Sequence, residues 1–226
     1  MEGQFIELCK TGNLDDIKKL IETQYINIHV NDDHGFRLAC AYGHLHIVEY
    51  LTNLNKIRQS QNTDYKIIDI NVNNEHCFRW ACHNGYLHIV KYLTNLYKIN
   101  TDYKIIDIHA YGDQGFKWAC IKGHLHIVKY LINLYKINTD YMKININSHI
   151  YGFLLACDNG HLHIVKYLTN LYKIRQSRNI DYQIINIHSC TEYGFKWASF
   201  NGHKHIVKYL LSIGSYVSNH KYVVLL

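Results

Sequence analysis

Apolar positions along the chain follow a helical spacing, and one version of the pattern returns six times. In residues 123–131, GHLHIVKYL, the side chains of Leu125, Val128 and Leu131 share one face of a helix. Related stretches occupy residues 12–20, 43–51, 85–93, 160–168 and 202–210. Their leading glycines are 31 (43 − 12) to 42 (85 − 43) residues apart. That period lies in the range of roughly 20 to 50 residues typical of solenoids.

A shorter apolar pattern precedes each glycine. Phe116, Ala119 and Cys120 stand at i, i+3 and i+4, which predicts a short amphipathic helix. The glycine follows four residues after the alanine, where a left-handed residue ends a helix. The chain is therefore predicted to be an all-α solenoid of six helix-turn-helix units within a single domain, 1–226. The predicted units cover about 1–30, 31–72, 73–110, 111–148, 149–189 and 190–226.

The connectors after the second helices end in an alternating, extended pattern. Each closing triplet, such as Asn27-Ile28-His29, lies seven residues before the next phenylalanine, except that Asn147 lies six before Phe153. The interval is rich in Gly, Asn and Asp, and the chain contains no proline. These residues favour turns, so the interval predicts a finger that projects from the stack.

Composition excludes several classes of protein. No run of 18 apolar residues could span a membrane, and residues 1–4 do not begin a signal segment, so a cytoplasmic protein is expected. The net charge of +6 comes from lysines and arginines dispersed through the repeats. Dispersed charge favours solvated helix faces over a nucleic-acid or membrane surface.

Five of the seven cysteines form a column three residues before the repeat glycine: Cys9, Cys40, Cys82, Cys120 and Cys157. Stacked helices lie about 8 to 10 Å apart, whereas a disulfide requires Cα atoms closer than about 7 Å, so neighbouring column cysteines should stay reduced. Cys77 and Cys190 lie outside the column. Buried thiols are inert, and the chain lacks the nucleophile-elbow, P-loop and H-E-x-x-H motifs, so neither catalysis nor a cofactor is expected.

Histidines form two further columns. One follows the glycine directly, as at His44, and the other lies two residues later, as at His46. Positions i and i+2 of a helix point roughly 200° apart, so a metal site is not predicted. The first column is interpreted as a helix-start position and the second as an exposed one.

A tyrosine ladder with neighbouring lysines runs along the second helices. Its members are Tyr50, Tyr92, Tyr130, Tyr167 and Tyr209, beside Lys91, Lys129, Lys166 and Lys208. Aromatic rings with positive charge can bind single-stranded nucleic acid or another polyanion, which is the alternative function. Because the ladder flanks the buried face, packing between neighbouring helices is the preferred interpretation, and nucleic acid is not the expected partner.

The order of finger, helix, glycine and helix resembles the ankyrin-repeat family, whose second helix commonly reads G-H-x-x-I-V-x-x-L. The family's T-P-L-H motif, whose histidine supports hydrogen bonds between fingers, is replaced by segments such as Gln114-Gly115-Phe116-Lys117. The units also exceed the usual length of about 33 residues, with the extra residues after the second helix. This combination resembles the divergent ankyrin proteins of giant DNA viruses, which implies a host protein as partner and the host cytoplasm as location.

Residues that vary between units identify the candidate binding site. The resemblance implies that finger tips and the ends of first helices line a concave surface that binds an unidentified protein partner. A mixture of aromatic, apolar and charged side chains fits a protein epitope, although drift at unselected surface positions remains an alternative. The protein is expected to be monomeric. The predicted protein-binding residues are Asp33, His34, Ala41, Tyr42, Glu75, His76, His83, Asn84, Asp113, Gln114, Ile121, Lys122, Tyr151, Asp158, Asn159, Glu192, Tyr193, Phe200 and Asn201.

Overall fold

The computed structural model describes residues 1–24, 26–61, 66–137, 146–177 and 187–213. These residues form twelve α-helices and no strand. The helices are α1 Glu2–Thr11, α2 Leu14–Thr23, α3 Val30–Tyr42, α4 Leu45–Gln61, α5 Val72–Asn84, α6 Leu87–Ile99, α7 Ala110–Ile121, α8 Leu125–Ile137, α9 Ile146–Asp158, α10 Leu162–Ser177, α11 Ile187–Phe200 and α12 Lys204–Ser212. Contacts divide the chain into an N-terminal unit, Met1–Tyr111, and a C-terminal unit, Gly112–Leu226.

The helices follow one another in pairs, each made of a first helix, a glycine turn and a second helix. In the N-terminal unit, α3 packs between the first helices α1 and α5. In the C-terminal unit, α9 packs against α11, and the second helix α10 packs against α8 and α12. The predicted all-α architecture of stacked helix pairs is confirmed.

The repeat glycine is required for two reasons. Gly12 has φ +85°, a conformation that a residue with a Cβ rarely adopts. In addition, the ring of His44 lies against it, because a Cβ added to Gly12 would stand 2.7 Å from that ring. His161 lies on Gly123 and His203 on Gly160 in the same way. The glycine therefore both ends one helix and receives a ring from the next pair.

One phenylalanine from each first helix builds the centre of the core. All six are essentially inaccessible to solvent: Phe5, Phe36, Phe78, Phe116, Phe153 and Phe195. On the second helices, Val128 and Leu131 are buried as predicted. Ile127, assigned to the border of the apolar face, is buried as well. Burial of these side chains supplies the main driving force for stacking.

The described connectors alternate between buried and exposed residues, as the sequence pattern predicted. Ile26 and Ile28 are buried around the exposed Asn27. Ile68 and Ile70 repeat this arrangement before α5. The connector segments 138–145 and 178–186 lie outside the described residues.

The extra residues of the longest units lengthen second helices. Helices α4 and α10 contain 17 and 16 residues, whereas α6 and α8 contain 13 each. In the part of the chain that the structure describes, no helix has both the length and the hydropathy needed to cross a membrane.

Candidate functional site

A left-handed turn opens three of the first helices. In α3, Asn31, Asp32 and Asp33 have φ values of 51°, 55° and 59° before the right-handed helix begins. The same turn occurs at residues 73–75 in α5 and 111–113 in α7. Asn, Asp and Gly adopt this conformation more readily than other residues. Helix α11 carries Cys190 and Thr191 at the corresponding positions and has no left-handed residue there.

This turn buries three of the acids that were predicted to contact a partner. Asp33, Glu75 and Asp113 are only 1%, 5% and 4% exposed. The prediction that they lie on the binding surface is therefore wrong. The left-handed backbone directs each carboxyl group inward, towards polar groups of the following helix pair.

Each buried acid satisfies polar groups within the stack. Asp33 is 2.6 Å from Nδ1 of His29 and accepts a hydrogen bond of 3.0 Å from the N–H of Asp69. Glu75 accepts bonds from the side-chain amide of Asn71 and the N–H of Asp107. In the C-terminal unit, Asp113 accepts a hydrogen bond from the hydroxyl of Ser148. The acids thus link successive pairs, the task that the family's motif gives to histidine.

Arginines after the core phenylalanine hold the left-handed turn. Arg37 Nη2 donates to the carbonyl of Asn31 at 3.0 Å. Arg79 donates to the carbonyls of Asn73 and Asn74, at 2.9 and 2.7 Å. In α9 the residue after the core phenylalanine is Leu154, and this helix has no left-handed residue. In α3 and α5 the arginine therefore bonds to the carbonyls of the turn, whereas Lys196 of α11 occupies the same position without such a turn.

Aromatic side chains line the exposed side of α11. Tyr193, Trp197 and Phe200 stand at i, i+4 and i+7 and therefore share one face, with exposed fractions of 56%, 36% and 91%. The corresponding residues of α5 are His76, Trp80 and His83, whose ring centroids are 5.9 and 5.1 Å apart. We call these positions on the first helices the first-helix face. Its members in the other helices are His34, Leu38 and Ala41; Gln114, Trp118 and Ile121; and Tyr151, Leu155 and Asp158.

Lysines flank the tyrosines of this face in the C-terminal unit. The Nζ atom of Lys117 lies 5.4 Å from the ring centroid of Tyr151. Lys196 lies 5.4 Å from the centroid of Tyr193 and forms a 2.9 Å ion pair with Glu192. Such cation–π contacts hold the rings in place while leaving much of their surface exposed.

The remaining sixteen predicted residues are at least partly exposed. Two of them also join neighbouring first helices: Asn84 donates to the carbonyl of Ala41, and Asn201 to the carboxylate of Asp158, both at 2.7 Å. The prediction missed the middle of the first-helix face, Leu38, Trp80, Trp118, Leu155 and Trp197. Their spacing of four residues from predicted members such as His76 was the signal that could have found them.

Within each unit, the histidine columns connect second helices to the preceding pair. His44 Nε2 is 2.8 Å from the carbonyl oxygen of Lys10, and His46 Nε2 is 3.1 Å from that of Gly12. Equivalent bonds are formed by His88, His161, His163, His203 and His205. No group of three potential metal ligands occurs among the described residues. The columns are thus engaged in stacking.

The tyrosine ladder is likewise engaged between second helices. The hydroxyl of Tyr92 is 2.6 Å from that of Thr52, and the hydroxyl of Tyr209 is 2.7 Å from that of Thr169. Lys166 lies over the ring of Tyr209, 5.5 Å from its centroid. A base could stack on such a ring only by displacing these contacts.

His76 provides a test of the electrostatics of this surface. Burial, then the positive charges of Arg37 and Arg79 and then His34, lower its pKa from 6.5 to about 4. We expect an NMR titration to place the ring near pH 4. Because the unfolded chain binds this proton near pH 6.5, the free energy of unfolding should fall between pH 6.5 and 4, by on the order of 1 kcal/mol for a partly exposed ring. His76→Gln should remove the part of this pH dependence that comes from His76. A ring that titrates near pH 6.5 would show that burial and the neighbouring positive charges do not lower its pKa.

Sequence comparison agrees with this architecture. A family model described as ankyrin repeats (3 copies) matches residues 38–141, 80–176 and 118–221. Together the matches extend over well more than half of the chain. No curated protein is significantly similar to it.

Proposed function

The chain belongs to the ankyrin-repeat family, and on that premise we propose that it is a non-enzymatic module that binds a partner protein on the first-helix face. Ankyrin repeats generally mediate interactions between proteins. The observation that carries the proposal for this chain is the exposed series Tyr193, Trp197 and Phe200 on α11. The face is formed by helices whose opposite sides are buried in the stack, so these rings are not needed for the core.

The composition of the face supports a protein partner. Aromatic residues concentrate binding energy at protein interfaces, and Tyr and Trp are enriched among the residues whose removal costs most. Phe200 alone exposes 91% of its surface, which is costly in water unless a partner covers it. The rings occur beside polar groups, including Asp158 and Asn201, that can form a polar rim.

The remaining features of the proposal rest on the sequence pattern. The long units resemble ankyrin proteins of giant DNA viruses, so we propose a host protein as partner and the host cytoplasm as location. We further propose that the module acts as a monomer. The proposed contacts are the sixteen predicted residues that are at least partly exposed and the five residues in the middle of the first-helix face.

Removing two rings from α11 tests the proposal. We expect Trp197→Ala with Phe200→Ala to weaken capture of the partner at least tenfold while the melting temperature changes little, because both side chains are partly or fully exposed. The matched control is Ile57→Ala with Ile99→Ala, which removes two exposed apolar side chains from second helices. Quantitative affinity purification with mass spectrometry measures capture. If both double variants captured the partner equally well, the proposal that the first-helix face binds it would be wrong.

Binding of nucleic acid is tested by a separate measurement. Affinity for a generic oligonucleotide that falls steeply with salt, and that is reduced by Lys129→Gln with Lys166→Gln, would favour the ladder on the second helices. Both lysines already form cation–π contacts with tyrosine rings, Lys129 with Tyr167 and Lys166 with Tyr209. We therefore expect weak binding that does not depend on the first-helix face.

A further inference from the structure

Within each unit, a residue that directly precedes a core phenylalanine lies against the column cysteine of the preceding first helix. This residue is glycine at positions 35, 115, 152 and 194. A Cβ added to Gly35 would lie 3.0 Å from Cys9 Sγ. The same construction at Gly152 and Gly194 gives 2.9 Å to the sulfur of Cys120 and 2.9 Å to that of Cys157. Any side chain at the position before the core phenylalanine would therefore contact the sulfur atom of a column cysteine.

Cys77 is the exception to this glycine series. It precedes Phe78 in α5, and its thiol is in hydrogen-bond contact with that of Cys40 in α3. Both cysteines are unpaired thiols with no exposed surface. Burial and the contact with Cys77 raise the pKa of Cys40 well above its ordinary value. The N-terminal unit thus holds two interacting buried thiols, one on α3 and one on α5.

We propose that Cys40 and Cys77 form an oxidation site that closes as a disulfide between α3 and α5. In a disulfide, the S–S bond of about 2.04 Å places each Cβ roughly 3 Å from the partner's sulfur. A Cβ constructed at the equivalent glycines would lie 2.9 to 3.0 Å from the sulfur, which is shorter than ordinary contacts between unbonded atoms. Column cysteines on successive helices are expected about 8 to 10 Å apart, so they do not pair with one another.

The reaction is a thiol–disulfide exchange with a small disulfide such as oxidised glutathione. One cysteine attacks the oxidant, which releases one reduced thiol and leaves a mixed disulfide. The second cysteine then displaces the other half, so the pair loses two electrons and two protons and the oxidant leaves as two thiols. Because both sulfurs are buried, exchange requires separation of α3 from α5, or takes place while the chain folds.

Oxidation would fix the two helices that carry the N-terminal part of the first-helix face. Helix α3 presents His34 and Leu38, and α5 presents His76, Trp80 and His83. A covalent link between them limits their relative movement and disfavours unfolding of this part of the stack. This inference concerns the redox state of the stack and does not depend on the identity of any partner.

Oxidative refolding tests the proposal. The full-length protein is refolded from denaturant in a glutathione redox buffer, free thiols are alkylated, and cross-linked peptides are mapped by mass spectrometry. We expect one intramolecular cross-link, Cys40 to Cys77, with the other five cysteines alkylated and a higher midpoint of urea unfolding than in the reduced protein. Cross-links at other pairs, or free Cys40 and Cys77 in a buffer that oxidises an unfolded peptide containing both, would overturn it.

The glycine series supplies the control. Cys77→Gly introduces the residue that the other helices have at this position, and it should refold with every thiol free and an unfolding midpoint that does not respond to the buffer. Cys77→Ser keeps the side-chain volume if the glycine variant is unstable. Cys190→Ser removes the partly exposed cysteine and should leave the cross-link unchanged. A redox-dependent midpoint in Cys77→Ser would assign the effect to other thiols.

Discussion

Replacing Leu131 by alanine should lower the free energy of unfolding by about 2 to 5 kcal/mol. Leu131 lies in α8, on the apolar side of the second helix, and none of its surface is exposed. The substitution removes three buried carbon atoms, and the close-packed surroundings cannot fill the space completely. Urea unfolding followed by far-ultraviolet circular dichroism measures the change.

Leu211→Ala is the matched control for this substitution. Leu211 lies on a second helix of the same unit but is 36% exposed, so its truncation should cost less than about 1 kcal/mol. The two variants delete the same atoms from the same kind of helix and differ in burial. Similar losses in both would show that the buried side of the second helices has been assigned incorrectly.

The helices and the core could be predicted because the spacing of apolar residues reflects which positions are buried. A residue such as Phe116 or Leu131 recurs at one register in unit after unit, and only a buried position restricts residue type in that way. The glycines were equally informative, since Gly43 adopts the left-handed conformation that its place after a helix predicted. The ring that lies on a glycine such as Gly12 or Gly123 was not predictable, because it belongs to another helix pair.

The finger acids show where this reasoning fails. Asp33 belongs to a polar cluster, Asn31-Asp32-Asp33, and polar clusters between apolar segments ordinarily remain in solvent. The cluster adopts a left-handed turn, however, and this turn buries Asp33 while leaving Asn31 and Asp32 exposed. Hydrophobic periodicity carries no information on the handedness of a turn. The burial of Asp33 therefore required the structure.

The candidate site was predicted in part for a related reason. Variation between units identified the ends of the first-helix face, such as His76 and His83, because their polarity changes from unit to unit. Trp80 and Trp118 were missed because large apolar residues on an amphipathic helix resemble core residues in sequence. Successive residues of a helix are rotated by about 100° about its axis, so neighbouring positions can differ in burial. The packing of the neighbouring helices determines which side of the helix is buried.

Asp33→Ala should cost about 2 to 4 kcal/mol of stability, because it removes a buried acceptor with two partners. The N–H of Asp69 would lose a partly buried hydrogen bond, and a donor shielded from water costs up to about 1 to 3 kcal/mol when it has no partner. The 2.6 Å contact with Nδ1 of His29 would be lost as well. Hydrogen exchange provides the local measurement: the Asp69 amide should exchange far faster in the variant.

Asp32→Ala separates this loss from the cost of the left-handed backbone. Asp32 and Asp33 are adjacent, and their φ values of 55° and 59° are nearly equal, so alanine meets the same backbone strain at either position, about 1 to 2 kcal/mol. Asp32 is exposed, and its substitution should leave protection of the Asp69 amide unchanged. The difference between the two variants therefore measures the hydrogen bonds of Asp33. Equal destabilisation, or an Asp69 amide that stays protected in Asp33→Ala, would show that this acid does not join the helix pairs.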